Sequence, residues 1–211
     1  MSVLSREEFD SIEFDAAATG DHAAAARRMS ELATTGAETA SMPRAEAYVR
    51  AGEQWLLAGE PAAAAVSFRQ AMADGGPVFA DPRVSLARAL FQLGRDTEAR
   101  ELISRLKAEG PADPRACDLV AELLVECSDL VGALDWATTG VEICLRHAAE
   151  QPADDADGGR RPGPPSGGPH APPSAGTSDD ESELRLLLSL RYRIRNDLGL
   201  PEDSYDQLLD S

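Results

Sequence analysis

The same short punctuation recurs four times along this chain at nearly constant spacing, and it leaves few architectures open. A turn residue is followed five residues later by an alanine: Gly20 and Ala25, Gly59 and Ala64, Gly94 and Ala99, Ser128 and Ala133. The steps from turn to turn are 39, 35 and 34 residues. A period near 34 residues belongs to stacked helical hairpins, in which each unit buries its apolar face only against its neighbours. No stretch sustains the two-residue alternation of a half-buried strand, so no sheet is expected. The spacing predicts an all-α chain whose body is an α-solenoid of about four helical hairpins.

Helix signals fall where the spacing requires them. Ser5 and Glu8 form a capping box, and Asp81-Pro82 and Asp113-Pro114 combine a good N-cap with a proline that has no amide hydrogen to waste. The predicted helices are 5–19, 21–34, 44–58, 61–73, 82–93, 96–108, 114–127 and 130–148. The longer first step predicts an extended loop near 35–44. Trp55 and Trp136 stand at helical repeat positions and read as core, as does Cys117.

The order of small and large residues resembles the tetratricopeptide repeat family, whose pattern runs W-x2-L-G-x2-Y, A-x3-F and then Pro. Tyr48, Ala51, Gly52, Trp55, Ala64, Phe68 and Ala71 carry the second unit. Leu86, Ala87, Leu90, Gly94, Ala99, Ile103, Leu106 and Pro111 carry the third, and Cys117, Val120, Ala121, Leu124, Ala133, Ala137 and Gly140 the fourth. The first unit departs from the pattern, with Glu13 where the family has a small residue. The resemblance covers residues 5–147 and implies a repeat domain over 1–150 that binds protein rather than catalysing a reaction.

Charge narrows the partner. The formal net charge is −17, most of it in residues 1–150, and binding to nucleic acid or anionic lipid depends on clustered Lys and Arg. Nucleic acid and membrane are therefore not expected as partners; a basic or amphipathic protein or peptide is. A single lysine, Lys107, accompanies the arginines, a composition typical of GC-rich bacterial coding. No secretory signal or membrane span is visible, so a cytoplasmic location is expected.

No cofactor and no metal are expected. Cys144 and His147 make half a zinc site without a second pair. Asp154, Asp155 and Asp157 lack the closing glutamate of a calcium loop. No phosphate loop, nucleophile elbow or acid–base constellation of histidines is present, so no catalytic residue is assigned.

Composition changes sharply after residue 150. Residues 151–180 are rich in Pro, Gly and Asp and predict a disordered linker. Residues 181–211 predict a C-terminal amphipathic helix, Glu181–Leu198, and a short tail turn bearing Tyr205. Leu187, Leu190 and Ile194 share one arc of that helix with Arg191 and Arg195. Three arrangements stand open: the helix caps the last hairpin, docks in the scaffold's own groove with its arginines on acids such as Glu53, Asp118 and Glu122, or waits free for a partner.

The family resemblance implies that ligands lie along the concave face made by the first helix of each hairpin. By position that face carries Glu46, Val49, Glu53 and Leu56, then Val84, Arg88 and Phe91, then Arg115, Asp118, Glu122 and Val125, with Glu7 and Asp10 on the first hairpin. Family members that clamp acidic tails need Lys, Asn and Arg there. Acidic and apolar residues among these positions suit a basic amphipathic helix instead. The function read from the sequence is a non-enzymatic protein-interaction scaffold. A self-occluded regulatory module, its C-terminal helix masking the groove, and an all-α enzyme with a deep polar pocket are the alternatives.

Overall fold

The computed structural model describes residues 3–111, 113–150 and 176–210. They gather into two compact units, residues 1–111 and 112–211. Among the described residues every regular element is helical apart from isolated bridges between Val3 and Ala37 and between Thr39 and Met42. The suggested calcium run at 154–158 lies outside the described residues. So does the expected linker up to residue 175; its last five residues belong to a helix.

Unit 1 is a run of six helices: α1 (Arg6–Thr19), α2 (His22–Thr35), α3 (Arg44–Leu57), α4 (Pro61–Asp74), α5 (Pro82–Gln92) and α6 (Asp96–Glu109). Each packs on the next, and α3 also meets α5. The predicted ends hold to within a residue or so, because the turn chemistry is local. Gly59 and Gly94 have φ of 74° and 69°, a left-handed conformation that glycine adopts without steric cost. At each, two backbone bonds close the same cap. Gly59 N–H donates to Leu56 and Glu60 N–H to Trp55; Gly94 N–H donates to Phe91 and Arg95 N–H to Leu90. This is a Schellman closure. Ser128 in unit 2 repeats both bonds, to Val125 and through Asp129 to Leu124, at φ 60°. Gly20 instead makes a single bond to Ala16, so the loosest repeat in sequence also has a different turn.

The alanines five residues on are buried at all four places, which lets paired helices approach closely. Gly52 shows how closely: a Cβ there would lie 2.5 Å from Phe68 Cε1. Phe9, Met29, Leu32 and Phe68 fill the core, whereas Trp55, read as core, is only half-buried. The capping box forms by half. Glu8 N–H donates to Ser5 Oγ at 3.3 Å, but the Glu8 carboxylate turns to Arg28 and Ser5 donates to Glu7. The expected loop before α3 is pinned by Arg44, whose guanidinium donates to the α2-terminal carbonyls of Ala33 and Gly36 at 2.5 and 3.0 Å.

Unit 2 holds α7 (Pro114–Glu126), α8 (Leu130–Glu150), α9 (Gly176–Asp197) and a 3-10 turn at Asp206–Asp210. α7 and α8 form a hairpin, and α9 packs on both. Its contact is set by Gly140, where a Cβ would lie 2.8 Å from both Leu187 methyls and 3.0 Å from Cys117 Cβ. Trp136, Val141 and Cys144 are buried on the α8 side, and Leu187, Leu188, Leu190 and Ile194 on the α9 side.

Candidate protein-binding surface

In unit 1 a pocket of about 300 Å³ opens where α1, α3 and the loop before α5 meet. Arg6, Asp10 and Glu13 come from α1, Glu46, Val49, Arg50 and Glu53 from α3, and Met42, Phe79 and Ala80 from the flanking loops. Helical spacing explains the α3 wall, since 46, 49, 50 and 53 follow the i, i+3, i+4, i+7 rule for one face. The loop is held by Phe79 N–H, which donates to Glu46 Oε2 at 2.9 Å. Phe79 itself is 72% exposed.

Arg50 is already committed inside this pocket. Its Nε and Nη2 donate to the two Glu13 oxygens at 2.7 and 2.5 Å, and Nη2 also donates to Asp10 at 2.6 Å. The guanidinium stands 5.6 Å from the Phe9 ring centre. Burial opposes its charge, but Glu13 and Asp10 more than restore it and raise its pKa. The large acid Glu13, out of pattern for the family, thus occupies its place because Arg50 reaches it from α3.

Two carboxylates of α3 remain beyond that pairing. Glu53 is exposed to solvent, yet the protein atoms crowded around its carboxyl, then nearby Glu46 and Glu13, push its pKa up to about 7, offset in part by Arg50. Burial is the largest cause and like charge the next; both disfavour the ionised form.

The remaining positions expected on the first-helix face of unit 1 divide by burial. Val49 and Val84 are 2% and 4% exposed and belong to the core, while Leu56, Arg88 and Phe91 are half-buried. Arg100 lies 5.8 Å over the Phe91 ring. Arg6, Arg50, Met42 and Phe79 were not singled out in the sequence. Arg50 was accessible to reasoning as the i+4 partner of Glu46. Phe79 was not, because its place depends on a loop.

Residues 56–123 match the tetratricopeptide repeat family model, from the end of α3 into α7. Over that span the chain is similar to a tetratricopeptide repeat. No curated protein and no solved structure matches it.

The positions expected on the first-helix face of α7 lie in unit 2. Arg115, Asp118 and Val125 are half-buried and Glu122 is exposed. α9 approaches this helix, with Arg115 Nε 3.9 Å from Glu183 Oε2. Burial, then Glu122 and Glu183, push the Asp118 pKa up to about 6 against the pull of Arg193.

Arg191 and Arg195 of α9 pair with aspartates of the C-terminal segment rather than with acids of the repeats. Arg191, 5% exposed at its side chain, donates to Asp203 at 2.9 and 2.5 Å, to Asp206 at 3.1 Å and to Thr138 Oγ1 at 3.1 Å. Arg195 pairs with Asp203 and Asp206 at 3.0 and 3.1 Å and donates to the Pro201 carbonyl. Tyr205 covers the box, its ring centre 4.8 Å from the Arg191 guanidinium. The tail folds back because Asp203 accepts from the Tyr205 and Asp206 amides. The acids that pair with Arg191 and Arg195 are thus Asp203 and Asp206 of the tail, not Glu53, Asp118 or Glu122 as in the groove-docked arrangement. Among the described residues no helix is long and apolar enough to cross a membrane.

Proposed function

We propose that this chain is a non-enzymatic, cytoplasmic protein-interaction scaffold that binds a basic or amphipathic helix or peptide along the first-helix faces of unit 1. Tetratricopeptide repeats generally mediate protein–protein contact and are typically non-catalytic. The observation that carries the reading is the α1–α3 pocket, where four carboxylates, Asp10, Glu13, Glu46 and Glu53, meet two guanidiniums, Arg6 and Arg50. Such a surface attracts cationic partners and repels acidic ones. Leu56, Arg88 and Phe91 extend the contact along α3 and α5. The test is cross-linking mass spectrometry on the full chain in its native cell, beside Glu46→Lys/Glu53→Lys. Cross-links from one partner to α3 and α5, lost in the reversed-charge variant, are the expected result. The same cross-links in both chains would overturn the reading.

A second reading is favoured by the Arg115–Glu183 approach: α9 masks the α7 surface until a partner displaces it. It requires partner binding to unit 2 to strengthen when residues 176–211 are removed. Unchanged binding after that truncation would end it.

A further inference from the structure

We propose that the α1–α3 pocket seats one arginine side chain of the protein partner, its guanidinium taken by Glu46 and Glu53 and its flank lying on the Phe79 ring. This inference rests on the scaffold reading above and names the anchor by which the partner is held. Three observations converge on it.

The first is size. A pocket of about 300 Å³ admits one long side chain with its hydration and excludes a whole helix, so the partner enters by a single residue. The second is charge complementarity. Arg50, the inner cation, is spent on Glu13 and Asp10, whereas the α3 carboxylates two turns apart face the same cavity. An incoming cation supplies the charge the pocket lacks. The third is the rim. Phe79 presents an exposed aromatic surface beside Glu46, and buried Val49 and Met42 give the floor an apolar character. A planar guanidinium uses both kinds of wall, pairing in bidentate fashion with carboxylate and stacking on a ring; an ammonium does neither as well.

The same arrangement couples binding to pH. The titratable groups facing Glu53 are Arg6, Asp10 and Glu13 from α1 and Glu46 and Arg50 from α3; Phe79 and Ala80, from the loop, bring none. With Glu53 titrating near 7, an arginine that needs it ionised binds more tightly as pH rises through neutrality and releases a proton on binding.

The experiment is an NMR titration of the full, isotopically labelled chain with three small probes: N-acetylarginine methylamide, its neutral isostere N-acetylcitrulline methylamide, and N-acetyllysine methylamide. The arginine probe is expected to shift the amides of Glu46, Val49, Glu53 and Phe79, to bind at least tenfold tighter than either other probe, and to gain about tenfold between pH 6 and 8, following the ionised fraction of a group titrating near 7. Glu46→Gln/Glu53→Gln should abolish both the shifts and the pH dependence. The wild-type pH series needs no variant to fold. Equal binding of citrulline or lysine would overturn the assignment, as would a pH-independent response. Arginine-induced shifts confined to Leu56, Arg88 and Phe91 would overturn the pocket while leaving the scaffold reading in place.

Discussion

Arg50 in unit 1 and Arg191 in unit 2 each hold two carboxylates, yet one cluster stands open beside further acids and the other is closed under a tyrosine. Around Arg50 the acids outnumber the bases, and Glu46 and Glu53 are left facing a cavity. Around Arg191 the count is even, two arginines to two aspartates, with Asp206 buried and Tyr205 stacked over the guanidinium. Balance and burial, not the presence of ion pairs, separate a surface suited to a ligand from a device that fastens a helix. The two kinds of cluster should also respond differently when broken.

The largest effect is expected in the closed cluster. Arg191→Ala takes the closest partner from Asp203 and leaves buried Asp206 with Arg195 as its remaining guanidinium, and losing one member of a buried pair costs up to about 3–5 kcal/mol. Denaturant unfolding of the variant, with hydrogen exchange over residues 184–198, should show α9 released or unit 2 unfolded. A midpoint near that of the wild type would mean that the box is wetter and looser than described.

Next come the glycines at which helices touch. Gly140→Val in unit 2 would drive into Leu187 and Cys117, and Gly52→Val in unit 1 into Phe68. Each should cost on the order of 1–3 kcal/mol from overpacking, with the larger residue's better helix propensity offsetting only part of it. The Gly140 variant should loosen α9 in hydrogen exchange, and the Gly52 variant should loosen α3 and α4. Loss of protection in the other unit instead would contradict the packing assigned to each.

Arg50→Ala is expected to cost less, about 1 kcal/mol, because its acids are partly solvated and their pairing is correspondingly weak. Its clearer signature is electrostatic. Removing the one group that lowers the Glu53 pKa should move that pKa further up, as a carboxylate titration would show. The smallest effect is at Ser128, the one non-glycine residue with positive φ among those described. Ser128→Gly should stabilise unit 2 by up to about 1 kcal/mol by removing the left-handed penalty, and a lowered thermal midpoint would rule that out.

Much of the fold was legible because its signals are local. Four turns, the alanines after them and two Asp-Pro caps place the repeat helices to within two residues. Glu46, Val49 and Glu53, which line the α3 wall of the pocket, were likewise readable as one helical face. What was not legible depends on chain reversal. Phe79 reaches the pocket from a loop, and Asp203 and Asp206 reach Arg191 because the tail folds back after Gly199, so helical periodicity gave no hint of either. Composition placed the start of the last helix at Glu181, whereas α9 begins at Gly176. Glu13, noticed only as a departure from the family's small residue, is explained by a partner 37 residues away.

Site-resolved NMR titration of the side-chain carboxyls in the full chain tests the contrast between the two clusters most directly. Hydrogen bonds from Arg191 hold Asp203 at about 2, below its ordinary 3.8. Its contribution to stability is therefore complete above pH 3.8 and lost as pH falls toward 2. Glu53 goes the other way: with a folded pKa of about 7 against an ordinary 4.5, it costs stability as pH rises from 4.5 through 7, and Glu53→Gln removes that cost. The account predicts Asp203 titrating near 2 and Glu53 near 7 in the same spectrum. Both groups titrating at their ordinary values would contradict it, showing that neither the closed box nor the crowded pocket exists in solution.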